Sequence, residues 1–283
     1  MTLREDTTMT SSAPQVSVYL PTRNRLSLLQ RAVDSVLAQD YPNLELLVVD
    51  DASSDGTIEY LEARAVADHR LRVLRNHDNL GACRSRNAAI AAARGEFVTG
   101  LDDDDYFEPG HVTSLMKCWS KRGSDKVVAL YPDTRVIGSD GAHRTLKRRA
   151  MVTQRALVAS NAIGNQIFAK RAEWLGVGGF SDDLPAWQDL ECWYRMLAEG
   201  RVAQCTGEST YVMDTSHGYE RITTSGLDRI HDAYAAFVAK HALRGVRKAA
   251  LFTQLLAYRM KAHDGPLLDA GRGAFHFVMR RLF

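Results

Sequence analysis

The chain has 283 residues, of which 45% are hydrophobic, so it can bury a core as one large domain or two small ones. This composition excludes disorder as the default state. With 36 basic and 34 acidic residues the net charge is +2, which excludes the general positive surface of a nucleic-acid-binding protein.

The chain opens with the polar run MTLREDTTMTSSAPQ, which lacks the apolar core of a signal peptide. We expect residues 1–14 to form a flexible tail. No stretch of the sequence approaches the roughly 18 apolar residues of a membrane-spanning helix. The four cysteines are far apart and include no C-x-x-C pair, so neither a disulfide framework nor a zinc site is predicted. A reducing, cytoplasmic location fits these features best.

Short apolar runs then alternate with segments of helical periodicity. Strands are predicted at 16–20, 44–49, 71–75 and 96–101. Apolar residues at positions 29, 32, 33, 36 and 37 indicate the first helix, and further helices are predicted at 57–67 and 82–94. Nearly continuous apolar strands that alternate with helices are typical of a parallel sheet covered by helices. We therefore predict a doubly wound α/β fold for this part of the chain.

Beyond residue 127 the pattern changes to shorter strands. The basic run Lys147-Arg148-Arg149 is interpreted as a solvated loop. From about residue 227 the sequence predicts helices, which could bind an anionic membrane peripherally at its inner face, or pack against the main domain or a second subunit. We prefer the packing interpretation. The basic residues of this extension are Lys240, Arg244, Arg247, Lys248, Arg280 and Arg281.

Polar residues follow three of the four predicted strands. The first group is PTRNR at 21–25, the second is Asp50-Asp51, and the third is the acidic run at 102–105. Ligands of open parallel sheets bind at the carboxyl ends of the strands. One crevice could therefore hold all three groups.

The acidic run places four carboxylates side by side. Adjacent negative charges disfavour one another's ionised form, so either bulk water or a cation must compensate for them. Asp102 and Asp104 have the Asp-x-Asp spacing that offers oxygen ligands to a hard cation together with substrate phosphate. A calcium EF-hand is disfavoured because Tyr106 and Phe107 stand where that loop needs an oxygen ligand and a glycine. The alternative is a solvated acidic turn in which Asp105 caps the next helix.

Six blocks of sequence occur in one order: VSVYLPTRNR, LELLVVDDASSDGT, NLGACRSRNAAI, GEFVTGLDDDD, GVGGF and QDLECWYRML. Together they resemble the inverting family 2 glycosyltransferases over about Val16 to Leu197. The resemblance implies a GT-A fold, which is Rossmann-like with a mostly parallel sheet flanked by helices. It implies a glycosyltransferase domain at 15–226, with a nucleotide-binding half at 15–107 and an acceptor-binding half at 108–226. A C-terminal helical extension follows at 227–283.

The resemblance also implies the residues that bind the donor. The nucleoside would lie against the loop after the first strand and the aspartates after the second. The diphosphate would lie against Arg86, with Arg84 as the alternative. A divalent cation, Mn²⁺ or Mg²⁺, would lie on Asp102 and Asp104, with Asp105 as a further candidate. The implied donor-binding residues are Pro21, Thr22, Arg25, Asp50, Asp51, Arg86, Asp102 and Asp103.

For the catalytic base the resemblance implies Asp189. The family places this base in a Glu-Asp motif after a Gly-Gly-Phe turn. Here GGF precedes QDLE, so Gln188 replaces the family's glutamate and Glu191 becomes the second candidate. The structural alternative is that Asp189 only caps the helix that runs to Glu199. Trp187 could stack on an acceptor sugar or belong to the core.

The late segment SHGYERITTS contains two further candidates, His217 and Arg221. Some members of the family supply a loop here that closes on the diphosphate or the metal. Imidazole can bind a cation and a guanidinium can bind phosphate, although a lone histidine is more often structural.

The implied activity is transfer of a sugar from a nucleotide-diphosphate donor, expected to be a UDP-sugar, to a hydroxyl of a saccharide or lipid-linked acceptor. The anomeric configuration would invert, and the product would belong to a cell-surface polysaccharide. A sugar nucleotidyltransferase is one alternative, but that class carries a glycine-rich loop where this chain has PTRNR. A non-catalytic nucleotide-sugar-binding module is another, and the candidate base argues against it.

Overall fold

The structure is a computed structural model that describes residues 13–219 and 227–262. Most of the predicted tail, residues 1–12, lies outside the described residues. The strands are β1 (Val16–Thr22), β2 (Leu44–Asp51), β3 (Leu71–Asn76), β4 (Phe97–Gly100), β5 (Tyr106–Phe107), β6 (Val127–Tyr131), β7 (Thr134–Ile137), β8 (His143–Leu146), β9 (Met151–Thr153), β10 (Phe168–Lys170), β11 (Val202–Cys205) and β12 (Tyr211–Asp214). The helices are α1 (Leu26–Leu37), α2 (Thr57–Ala67), α3 (Ala82–Ala92), α4 (His111–Ser120), α5 (Gln154–Ala159), α6 (Arg171–Gly176), α7 (Gln188–Met196), α8 (Leu227–Lys240) and α9 (Gly245–Ala262).

Eight strands form one sheet in the order β3-β2-β1-β4-β10-β6-β11-β9. The pairs β3–β2, β2–β1 and β1–β4 are parallel, as predicted. β10 runs antiparallel to both β4 and β6, so β6 points in the same direction as β4. The carboxyl ends of β1, β2, β4 and β6 consequently lie along one edge of the sheet.

The sheet is covered on both faces because side chains alternate along its strands. On β1, Val18 and Leu20 belong to one buried cluster, which includes residues of α1 and α4. Tyr19 belongs to a second cluster on the opposite face, with residues of α3, α6 and α7. The predicted apolar stripe of α1 is buried at all five positions. The predicted α/β class is therefore confirmed.

Several element ends differ from the prediction. β1 and β2 each continue two residues further, because the parallel ladder carries on through Thr22 and Asp51. Pro21 is tolerated within β1 because β4 pairs with β1 only as far as Tyr19, which leaves one side of the strand without a ladder. β4 and α3 are shorter than predicted, and α7 ends at Met196. Part of the predicted first polar loop is thus strand.

Four strands form a second sheet in the order β5-β12-β7-β8. β5 begins directly after the acidic run and pairs antiparallel with β12. This pairing brings Tyr211 and Asp214, from a late part of the chain, next to the four aspartates.

The C-terminal helices pack against the main domain, as preferred from the sequence. Gln254 of α9 donates hydrogen bonds of 2.9 Å to the main-chain oxygens of Leu157 and Val158 in α5. Its Oε1 accepts a hydrogen bond of 3.2 Å from the main-chain nitrogen of Asn161. Across residues 13–219 and 227–262, no helix combines the length and apolar composition needed to cross a bilayer. The basic residues predicted beyond position 262 lie outside the described residues.

Gly100 at the end of β4 allows a close approach of side chains from two other segments. A Cβ at this position would overlap the Tyr19 ring and the Oε1 of Gln166. We expect Gly100→Ala to lower the free energy of unfolding by about 1–3 kcal/mol, because the packed neighbours must move. Urea unfolding measures this change. In the matched variant Gly176→Ala the new methyl group meets no atom within 4 Å, so equal losses in the two variants would contradict this explanation.

Candidate active site at the carboxyl edge of the sheet

The acidic run lies directly after β4, at the carboxyl edge of the large sheet. Asp103, Asp104 and Asp105 are 6%, 5% and 1% exposed, and Asp102 is partly exposed. The alternative of a solvated acidic turn is therefore wrong. Four adjacent carboxylates at this depth need partners of opposite charge or hydrogen-bond donors.

Asp102 and Asp103 each have their own set of donors. Arg86 Nη2 lies 2.9 Å from Asp102 Oδ1, and side-chain amides donate to both Asp102 oxygens at 3.0 and 2.8 Å. Thr22 donates to Asp103 Oδ2 at 2.8 Å, and Arg25 Nη1 lies 3.1 Å from Asp103 Oδ1. Burial raises the pKa of Asp103 to about 6, against the opposing effects of Arg25 and Thr22.

Asp105 holds the second sheet in place. The Tyr211 hydroxyl donates to Asp105 Oδ2 at 2.6 Å, and the main-chain nitrogen of Asp214 donates to Oδ1 at 3.1 Å. Asp104 faces different groups, since Arg25 Nη1 and His217 Nε2 lie 3.5 and 3.3 Å from its Oδ2. His217 is therefore brought to the acidic run, as the sequence suggested. Arg221 lies outside the described residues.

Three of the aspartates can offer oxygens to one cation. One ligand oxygen from each of Asp102, Asp104 and Asp105 lies within 4.8 Å of the others. Hard divalent cations prefer carboxylate oxygens, and in phosphate sites they use few protein ligands together with substrate oxygens. Asp105 is 1% exposed and its oxygens hold β12, whereas Asp102 is partly exposed at the crevice, so Asp102 and Asp104 are the better candidates for ligands. The residues present fit such an ion.

Two adjacent aspartates at the end of β2 have different environments. Asp50 is fully buried, and its Oδ1 accepts a hydrogen bond of 3.2 Å from the main-chain nitrogen of Ser53. Its Oδ2 is buried with no hydrogen-bond partner among the residues that the structure describes. A buried, unsatisfied carboxylate oxygen is costly, so it indicates a position at which a ligand donates. Asp50 therefore remains a binding candidate.

Asp51 is saturated by protein donors. It accepts hydrogen bonds from the Asn76 side chain at 2.8 Å and from the main-chain nitrogens of Leu80 and Gly81 at 2.9 and 2.8 Å. These bonds hold the loop between β3 and α3. The carboxylate thus has a structural use, and the geometry does not support a direct contact with a nucleotide.

The structure separates the two arginines that the sequence left open. Arg86 is largely buried beside Asp102, and its guanidinium lies 5.3 Å from the centre of the Phe180 ring. Arg84 is more than half exposed and pairs with exposed Asp182 at 2.7 Å. Arg86 is therefore the arginine that belongs to the crevice.

The residue after Arg86 ties α3 to the Gly-Gly-Phe turn. Asn87 Nδ2 donates to the Phe180 main-chain oxygen at 2.8 Å, and the Phe180 nitrogen donates to Asn87 Oδ1 at the same distance. Gly179 has φ +69°, and a Cβ there would overlap the Asn87 amide. Glycine is thus required both for the backbone angle and for this contact.

Asp189 lies in the first turn of α7, at the same crevice. Its Oδ2 accepts a hydrogen bond of 3.0 Å from Asn161 Nδ2. Burial raises the pKa of Asp189, while the positive charge of Arg86 acts in the opposite direction and the charge of Asp102 adds to the rise. A carboxylate with a raised pKa beside a crevice is suited to accept a proton.

The helix is not capped by Asp189. Its N-cap is Trp187, which has φ 60°, an unusual value for a bulky residue. Asp189 therefore does not occupy the N-cap position that the capping alternative gives it. The Trp187 side chain is 6% exposed and belongs to the core cluster, which supports its interpretation as a core aromatic residue. Backbone strain of this kind is often found where a functional side chain is positioned.

Glu191 serves to bind α7 to α8. It is fully buried, and Ser181, Arg195 and His241 lie 2.8, 2.8 and 2.9 Å from its oxygens. Burial alone would raise the pKa of Glu191, but hydrogen bonds from these three residues lower it to about 2. Side chains two positions apart on a helix are rotated by about 200° around the helix axis, so Asp189 and Glu191 face nearly opposite sides of α7. These contacts argue against Glu191 as the base.

The ion-pair network of Glu191 predicts a pH-dependent contribution to stability. Because the pKa falls from 4.5 to about 2 on folding, this contribution is complete above pH 4.5 and is lost as the pH falls toward 2. We expect Glu191→Gln to lower the free energy of unfolding by about 2 kcal/mol at pH 7, less than the full linkage value because water screens the partners. Urea unfolding from pH 7 to 3 measures it. A difference that stays constant with pH would contradict the assignment.

Several site residues carry no signal in the sequence. Asn161, Asn165 and Gln166 precede β10 and bind Asp189 and Asp102. They are single amides in an irregular segment, without a spacing or composition that marks them. Only their position in the folded chain identifies them.

Comparison with known proteins identifies the family of this chain and solved structures that share its fold. Residues 17–172 match the family described as Glycosyl transferase family 2. A relative from Escherichia coli strain K12, named for colanic acid biosynthesis as the glycosyl transferase WcaA, is 34% identical over 250 residues. The alignment covers 85% of this chain and 87% of the relative.

Two solved structures share the fold. S. aureus TarS residues 1–349, in complex with UDP-GlcNAc, has a TM-score of 0.68 and 19% identity, over 87% of this chain and 73% of TarS. The mannosyltransferase PcManGT of Pyrobaculum calidifontis, in complex with GDP-Man and Mn²⁺, has a TM-score of 0.61 and 20% identity, over 95% of this chain and 81% of its own. The predicted GT-A fold is confirmed. On the family match and the E. coli relative, the chain belongs to glycosyl transferase family 2.

Proposed function

We propose that this protein is a metal-dependent, inverting glycosyltransferase that uses a UDP-sugar and extends a saccharide or lipid-linked saccharide of a cell-surface polysaccharide. The name of the E. coli relative, which refers to colanic acid biosynthesis, supports the product class. The observation that carries the proposal is that the short segment before β10 binds both carboxylates, since Asn161 donates to Asp189 at 3.0 Å and Gln166 donates to Asp102 at 3.0 Å. A candidate base and the candidate phosphate and cation groups therefore share one crevice.

In this proposal each group has one task. The unsatisfied Oδ2 of Asp50 accepts a hydrogen bond from the N–H of the nucleotide base. Arg86 donates to diphosphate oxygens, and Asp102 and Asp104 hold the divalent cation. When bound, the cation neutralises negative charge on the departing nucleotide. Asp189 takes the proton of the acceptor hydroxyl as this oxygen attacks the anomeric carbon in line, which inverts the configuration.

A thermal-shift screen of nucleotide sugars with and without Mn²⁺ or Mg²⁺ tests the donor. A ligand at about 100 times its dissociation constant stabilises the native state by about 2.7 kcal/mol. We expect a UDP-sugar to raise the melting temperature in the presence of metal. If no nucleotide sugar does so, the proposal is wrong.

Two matched variants separate binding from structure at the end of β2. Asp50→Asn should remove most of the nucleotide-dependent shift, because the amide cannot accept at both of its terminal atoms. Asp51→Asn should instead lower the melting temperature of the free protein, since three donors lose a charged acceptor. If both variants show the same nucleotide-dependent shift and the same melting temperature, Asp50 has no special role in binding the donor.

The competing classes make different products. Release of pyrophosphate from a sugar phosphate and a nucleoside triphosphate would show a sugar nucleotidyltransferase. Metal-dependent nucleotide binding without any transfer to saccharide acceptors would favour a binding module.

Peripheral contact of the C-terminal helices with a membrane or with a second copy of the chain stays a prediction. One of the basic residues of these helices, Lys240, already binds Ser181 and Asp183 of the main domain at 2.6 and 3.0 Å.

A further inference from the structure

We infer that Arg148 binds an anionic group of the acceptor, either a sugar carboxylate or a phosphate next to the sugar. This inference rests on the proposed function and specifies its acceptor. The sequence suggested a solvated basic loop at this position, and the structure corrects that interpretation. Lys147 and Arg149 are exposed, whereas Arg148 is half-buried.

The guanidinium of Arg148 has few partners. Its Nη2 donates to Thr134 Oγ1 at 3.2 Å. Its Nε is buried without a hydrogen-bond partner, and no carboxylate lies within 4 Å of its nitrogens, among residues 13–219 and 227–262. Burial lowers the pKa of Arg148. A guanidinium that is partly buried, with its Nε unsatisfied and no carboxylate partner, is costly, which indicates that a ligand supplies the negative charge.

Asp133 does not fill this role, although it contacts the main chain of Arg148. Asp133 follows β6 and is 1% exposed. Its oxygens accept hydrogen bonds of 2.7 Å from Lys147 Nζ and from the main-chain nitrogen of Arg148. Asp133 therefore holds the backbone of Arg148 in position and leaves the guanidinium to another acceptor.

A short chain of contacts connects Arg148 with the proposed base. A Cβ on Gly164 would lie 3.0 Å from Arg148 Nη2, so the guanidinium packs on the backbone there. The Gly164 nitrogen donates to Asn161 Oδ1 at 3.1 Å, and Asn161 Nδ2 donates to Asp189 at 3.0 Å. The charge of Asp189 also acts on Arg148. Only Gly164 and Asn161 thus lie between Arg148 and the base in this chain of contacts, and we place Arg148 beside the sugar that Asp189 deprotonates.

The sheet order assigns this position to the acceptor. Asp50 lies at the end of β2, the acidic run follows β4, and Asp133 follows β6, beyond β10 on the other side of β4. Asp50, which is proposed to bind the nucleotide base, and Arg148 are therefore on opposite sides of the candidate metal site. A planar guanidinium binds carboxylate or phosphate through paired hydrogen bonds, which a neutral sugar cannot match.

NMR of the arginine Nε–Hε groups of the full chain, with and without UDP and Mg²⁺, tests this inference. The Arg148 signal is identified by its absence in Arg148→Lys. The probes are glucuronate, methyl phosphate and glucose, to about 50 mM, since a single paired contact gives millimolar binding. We expect a saturating shift of this signal with glucuronate or with methyl phosphate, and none with glucose. The anion that binds identifies the source of the charge.

Two variants make the result decisive. Arg148→Gln should weaken binding of the active anion about tenfold or more without lowering the melting temperature, whereas a structural arginine would lower it. Arg144→Gln, which removes an exposed ion pair with Asp140, should change neither the binding of the anion nor the melting temperature. No response of Arg148 to either anion, or a lowered melting temperature in Arg148→Gln, overturns the inference. If the wild type does not bind UDP in the presence of Mg²⁺, the proposed function is overturned instead.

Discussion

Asp189→Asn is expected to lower the rate of sugar transfer by about 10²–10⁴ and to leave nucleotide binding unchanged. Asparagine keeps the shape of the side chain and can still pair with Asn161, which lies 3.0 Å from Asp189 in the wild type. It cannot take a proton from the acceptor hydroxyl. Steady-state kinetics of nucleotide release, together with calorimetry of UDP binding, measure the two effects separately.

The pH dependence of the wild type provides a second test of this role. Burial raises the pKa of Asp189, and a base acts only in its ionised form. We therefore expect kcat/KM to rise with pH through an apparent pKa above the ordinary value of aspartate, and to level off above it. Glu191→Gln is the matched control on the same helix. Glu191→Gln should keep the transfer rate and the pH profile at temperatures below its melting point. Full activity of Asp189→Asn would refute the assignment of Asp189 as the base.

Asp104→Asn is expected to lower transfer by about 10²–10³ and to abolish the metal-dependent part of nucleotide binding. An amide is a weaker ligand for a hard cation than a carboxylate, and Asp104 contributes one of three oxygens within 4.8 Å of each other. The measurement is the thermal shift with UDP as a function of Mn²⁺ concentration. The same experiment on the wild type with a chelator should reproduce the result.

A buried aspartate outside the cluster controls for the loss of a charge. Asp133 is 1% exposed and pairs with Lys147 at 2.7 Å, after a different strand. We expect Asp133→Asn to lower the stability of the protein but to keep the response to Mn²⁺. A metal response retained in Asp104→Asn and lost in Asp133→Asn would place the cation elsewhere.

Much of the fold could be predicted from the sequence because its signals are local. The alternation of apolar runs and helical stripes depends on neighbours within one turn or one strand, and it predicted the parallel strands and the buried face of α1. The three polar groups at strand ends also follow from the direction of parallel strands. The order of six blocks was sufficient to identify the family.

The amides before β10, the role of β12 and the environment of Arg148 could not be predicted. Each depends on strands from the second half of the chain, where the pattern is short and irregular. Asp105 illustrates the difference, since its partners on β12 lie more than a hundred residues further along the chain.

The sequence by itself determined the fold class, the family and the edge of the sheet at which the candidate site residues meet. Only the tertiary structure separated the two members of each pair of like-charged neighbours by their partners and burial. These pairs are Asp50 and Asp51, Arg84 and Arg86, and Asp189 and Glu191. The physical reason is that residues one or two positions apart share their chemistry but point in different directions. Their partners come from distant segments, so the separation of roles exists only once the chain has folded.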